Sequence, residues 1–88
     1  MHAVVVRVDV TDFQGSVEVL RDEIVPRVAQ APGFVSGYWT RKGGSGLSMS
    51  VWDTEADAEA AAKMIRDSDM APGVELLEVE VREVVASA

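Results

Sequence analysis

The chain has 88 residues, 48% of them hydrophobic, with 15 acidic against 8 basic side chains and a net charge of −7. That length predicts a single domain over residues 1–88 with a thin core, and the acidic balance argues against nucleic acid and against anionic membrane surfaces. There is no cysteine, which excludes disulfides, thiolate nucleophiles and Cys-type metal sites.

His2 to Val10 reads as the first strand. Val4, Val6, Val8 and Val10 fall on one face and Ala3, Val5, Arg7 and Asp9 on the other. Two charges break this apolar start and no basic segment precedes it, so it does not read as a signal peptide. With no stretch of membrane-spanning length, the expected location is cytoplasmic.

Gly15 or Ser16 to about Gln30 reads as a helix. Val17, Leu20, Ile24, Val28 and Ala31 form its apolar stripe, while Glu18, Arg21, Asp22 and Arg27 form the wet face. Pro26 interrupts the pattern and predicts a bend, because it lacks a backbone donor and crowds the preceding turn.

Phe34 to Lys42 and Leu47 to Asp53 read as strands joined through Gly43-Gly44-Ser45-Gly46. Thr54 caps a second helix that runs to about Ser68, with Ala58, Ala61, Ala62 and Ile65 as its inner stripe and Met64 alongside. Glu75 to Val85 is the last strand, with Leu77, Val79 and Val81 on its apolar side. Ala31-Pro32-Gly33-Phe34 and Ala71-Pro72-Gly73-Val74 form a faint repeat in which Pro stops each helix and Gly supplies the turn. Two such halves give βαββαβ, an α+β ferredoxin-like fold. It has a four-stranded antiparallel sheet with both helices on one face.

Pairing Arg41 with Leu47 would put Val35, Gly37, Trp39, Leu47, Met49 and Val51 toward the helices. Ser36, Tyr38, Thr40, Ser48, Ser50 and Trp52 would then share the other face with Val5, Arg7, Asp9, Glu78, Glu80 and Arg82. Val5, Tyr38 and Trp52 together are more apolar than a wet sheet face requires, so a homodimer with its sheets packed face to face is expected.

The stretch VPRVAQAPGFVSGYWTRKGGSGLSMSVWDTEADAEAAA, Val25 to Ala62, resembles the small dimeric α/β-barrel proteins, and among them the antibiotic-biosynthesis-monooxygenase-like group. The proline in the first helix, the Pro-Gly-Phe entry to a strand, the glycine-rich hairpin and the Trp-Asp-Thr-Glu before an alanine-rich helix carry the likeness. With the outer strands it extends over nearly the whole chain. It implies a dimeric α/β barrel, no cofactor and no metal, and in the monooxygenase members oxidation of an electron-rich aromatic substrate between sheet and helices. On that likeness Trp39 and Arg41 would hold the ligand, with Met49 nearby and room left by Ala58, Ala61 and Ala62. Tyr38 and Trp52 are the further aromatic candidates, on the opposite face. The haem-degrading members use a helical histidine and an asparagine, and this chain has neither.

Other chemistry is weakly represented. His2 is the sole histidine, at the start of a strand, and no serine has a histidine partner in any motif, so no catalytic residue is assigned. Asp53, Glu55 and Asp57 bracket a helix N-terminus, where carboxylates complement the dipole without a metal. Gly43 to Gly46 lacks the Lys-Ser or Lys-Thr of a phosphate loop. Two functions fit: a homodimer that binds a small ligand, or a cofactor-independent monooxygenase acting on an aromatic or polyketide-like compound.

Overall fold

The computed structural model describes residues 1–11, 17–68 and 73–88. Its strands are β1 (His2–Val10), β2 (Phe34–Lys42), β3 (Ser45–Trp52) and β4 (Val74–Glu83), in one sheet of order β2-β3-β1-β4. Every adjacent pair is antiparallel. The first helix is described from residue 17; it passes through a π-turn, Leu20–Ile24, into α1 (Val25–Ala29), and α2 spans Glu55–Asp67. The architecture is α+β, with four antiparallel strands and two helices, compatible with a ferredoxin-like fold. Gly15, Ser16, Ala71 and Pro72, on which parts of the sequence reading rest, lie outside the described residues.

The alternating valines of β1 organise the core. Val4 is fully buried and Val6 nearly so, packed with Trp52, Ala58, Ala61 and Ala62. Val28 and Ile65 bring the two helices onto this same cluster, and Val79, Val81 and Leu76 extend it from β4. Trp52 is 1% exposed; its ring meets Phe34 edge-on at 5.5 Å, and its indole Nε1 donates to Ser50 Oγ at 2.9 Å. A buried indole N–H needs such a partner.

The hairpin register differs from the expected one. Arg41 pairs with Gly46 and Lys42 with Ser45, so only Gly43 and Gly44 form the turn. Gly43 has φ 58° while Gly44 is not in the positive region, the pattern of a II′ turn. Because side chains alternate, this one-residue difference turns β3 over. Trp52, Ser50 and Ser48 face the helices, whereas Leu47, Met49 and Val51 share the open face with Tyr38 and Val5. Trp39 keeps its helix-facing place.

Two bulges sit on the two edge strands. Between Arg7↔Glu78 and Val8↔Leu76, β4 carries one extra residue, Leu77, which is 51% exposed instead of joining the core. Between Phe34↔Trp52 and Ser36↔Val51, β2 carries Val35, 46% exposed. Leu76 takes the inward position that the alternation assigned to Leu77.

At Pro26 the helix widens. The Val25 N–H reaches back five residues to the Leu20 carbonyl, so the chain enters the proline through a π-turn. Pro26 has no N–H for Asp22, and the wider turn relieves the clash between its ring and that carbonyl. Helix α2 begins as anticipated, with the Thr54 side chain accepting from the Asp57 N–H at 3.1 Å.

Both glycines of the repeat sit in the left-handed region, Gly33 at φ 82° and Gly73 at φ 80°. At Gly33 a Cβ would also collide with the Asp57 carboxylate, whereas at Gly43 it would meet nothing within 4 Å. Gly43→Ala is therefore expected to cost about 1–2 kcal/mol from backbone alone. Gly33→Ala should cost more, because Asp57 must leave its place in the first turn of α2. Urea midpoints of the two variants check this, and equal losses would contradict it.

Candidate functional site

Between the helix-facing side of the sheet and the first helix lies a cavity of about 260 Å³. Its sheet wall comes from Val6, Val8 and Val10 of β1, Trp39 of β2, and Gly46, Ser48 and Ser50 of β3. Leu20, Ile24 and Val28 close it from the first helix, and Met64 and Ile65 from α2.

The cavity follows from side-chain size. Across the sheet from Val8, Val6 and Val4, β3 offers only Gly46, Ser48 and Ser50. These three consecutive inward positions are too short to reach the helix layer. On β2, the Trp39 ring leans along its own strand and over Gly37, where a Cβ would stand 2.9 Å from ring atom Cη2. The indole therefore forms a wall of the cavity instead of filling it.

The alanine stripe of α2 plays a different part from the one expected. Ala58, Ala61 and Ala62 are buried at 0–5% exposure against Trp52 and Val4, and they do not line the cavity. Small residues there bring α2 close to the sheet, while the open space lies further along, beneath the first helix.

The five residues proposed from sequence separate accordingly. Trp39 and Arg41 both line the cavity. Met49, placed beside Trp39 by the sequence reading, instead points out of the open face at 49% exposure, because β3 is turned over. Trp52, assigned to that open face, is core for the same reason. Tyr38 does lie on the open face, 72% exposed, opposite Met49. Ser48 and Ser50, expected between sheets, are cavity residues. The reading missed Arg27, which lines the cavity despite its place among wet-face residues. Its spacing was the available signal: it follows Leu20 by seven and Ile24 by three, which keeps its stem at the border of the apolar stripe.

Two polar groupings lie outside the cavity. The His2 Nε2 lies 3.1 Å from Glu55 Oε2, and its Nδ1 is buried without a partner among the described residues. Glu55 is the one acid within ion-pair distance of it among the described residues. On the open face Arg7 pairs with Glu78 at 3.4 Å and Arg82 with Glu80 at 2.7 Å. A hydrogen bond with the Glu78 side chain, then one from Arg82, holds the Glu80 carboxyl below its ordinary range. A depressed carboxyl of this kind contributes stability above the ordinary Glu range and loses it as the pH falls through the lowered value. No group of histidines and acids among the described residues could hold a metal ion. No helix among them is long and apolar enough to cross a membrane.

Compared with models of known protein families and with curated proteins, the chain matches none. The functional reading therefore rests on the cavity and the open sheet face.

The buried hydrogen bond beneath the cavity is directly testable. Ser50→Ala leaves the Trp52 indole N–H buried and unsatisfied, and a loss of about 1–3 kcal/mol is expected in chemical denaturation. A neutral result would mean that Ser50 does not hold Trp52.

Proposed function

We propose that this protein binds a small apolar ligand in the cavity beneath its first helix and works as a homodimer of the dimeric α/β-barrel kind. The observation that carries the ligand reading is the cavity itself, about 260 Å³ with a mostly apolar wall. Apolar cavities of about 150 Å³ admit benzene, so this one has room for a body of roughly two fused rings. Trp39 offers such a ring a flat wall. The neutral probe 1-naphthalenemethanol is expected to bind wild-type protein in a calorimetric titration. Ser48→Leu, which grows into the cavity, should weaken it at least about tenfold, a change of about 1.4 kcal/mol. Absence of binding to the wild type would contradict the ligand reading.

The dimer reading rests on the open face. Tyr38, Met49 and Val5 form a row across β2, β3 and β1, flanked by Leu47 and Val51. Beside them Arg7 and Arg82 alternate with Glu78 and Glu80. A two-fold axis presents a patch to its own copy, so a mixed-sign patch beside an apolar one is self-complementary. The bulges at Val35 and Leu77 disfavour pairing through either sheet edge, leaving the face for association. Light scattering is expected to give twice the chain mass at micromolar concentration, and Met49→Lys should shift it to the monomer. A wild-type monomer under those conditions would contradict the dimer.

A second reading, a cofactor-independent monooxygenase, draws support from one observation: Trp39 and Arg41 line the same cavity. Oxygen uptake with anthrones, quinols or flavonols, lost in Trp39→Phe and Arg41→Ala, separates it from binding without turnover.

A further inference from the structure

The charge of the cavity runs against the charge of the chain. The protein carries 15 acidic and 8 basic residues. Yet the described residues that line the cavity include two arginines, Arg27 and Arg41, and no aspartate or glutamate. Both arginines are exposed, so they stand where the cavity meets solvent. Arg27 forms no ion pair with any described residue. Behind them the wall is Val6, Val8, Leu20, Val28 and Ile65, whose low polarity strengthens any charge interaction at the rim.

We infer that the ligand is an amphipathic monoanion: an apolar body of up to two fused rings with a single oxyanion, such as a carboxylate, held at the mouth by Arg27. This deepens the proposed function and rests on the cavity being a ligand site. The size of the space sets the body, the apolar wall excludes a second charge inside, and the cationic rim selects the sign of the head group. A guanidinium matches a carboxylate with paired donors, which an alcohol cannot exploit as fully. Arg27 is suited to this because it lines the cavity beside Leu20 and Ile24 yet is exposed, as a long aliphatic stem with a charged head allows.

The test compares three probes of one shape: 1-naphthoate, 1-naphthalenemethanol and 1-naphthylmethylammonium, titrated calorimetrically into the full chain at neutral pH and low salt. Wild type is expected to bind the carboxylate at least about tenfold more tightly than the alcohol, with the ammonium weakest, and the advantage should shrink as salt rises. In Arg27→Met, which keeps most of the stem, the carboxylate-to-alcohol ratio should fall toward one, while Arg27→Lys should retain a preference for the anion. If the wild type binds alcohol and carboxylate alike, or prefers the ammonium, the anion assignment is overturned while the ligand cavity stands. If none of the three binds, both fail. Because the wild-type ratio and its salt dependence decide the matter, the result does not depend on the Arg27→Met variant folding.

Discussion

The two-residue turn at Gly43–Gly44 is the constraint on which the rest of the structure depends. A positive φ at Gly43 closes the hairpin with Lys42 against Ser45, and the pairing of β2 with β3 follows from that contact as far as Ser36, where the Val35 bulge intervenes. It turns Gly46, Ser48 and Ser50 toward the helices, where their shortness leaves the cavity. By the same alternation it turns Trp52 inward as the largest buried side chain and sends Leu47, Met49 and Val51 to the open face. One more residue in the turn would exchange these sets. It would turn Met49 and Val51 toward the helices and leave a tryptophan exposed on the sheet.

Packing then divides the helix layer into two zones with opposite densities. Around Trp52 the alanines of α2 permit close approach, and Phe34 and Val4 complete a filled core. Toward the first helix, small residues lie on the sheet instead, and the cavity separates them from Leu20, Ile24 and Val28. The widened turn ahead of Pro26 lies over this second zone, with Leu20 and Ile24 in the cavity wall. A chain of this size has little burial energy to spare. The filled zone supports the open one, and in the proposed dimer the apolar row around Tyr38 and Met49 adds burial.

Much of this was legible in the sequence for identifiable reasons. Four valines at alternate positions can only be the buried side of a strand, and Thr54 before an alanine-rich run fixes the start of α2. The repeated Pro-Gly exits pointed to two similar halves, and both described glycines indeed adopt positive φ. Trp39 was placed correctly because its position depends on β2 alone. What could not be read were features decided by single residues within permissive stretches. Gly43-Gly44-Ser45-Gly46 is compatible with several turn lengths, so composition could not choose the face of β3. Leu76-Leu77 offers two equivalent apolar side chains, and only the pairing with Arg7 and Val8 shows which is the bulge. Arg27 read as wet because its charged head is wet; its spacing from Leu20 and Ile24 placed it at the border of the stripe, but that the border meets a cavity shows only once the helix is seated on the sheet.

The most direct test of the central claim is the position of a bound probe. In a nuclear Overhauser spectrum of the protein saturated with 1-naphthalenemethanol, the account predicts contacts from the naphthalene protons to the methyl groups of Val6, Val28 and Ile65 and to the Trp39 ring. Contacts confined to Tyr38, Met49 and Val51 would place the probe on the open sheet face. That result would contradict both the hairpin register as the maker of a ligand cavity and the function built on it.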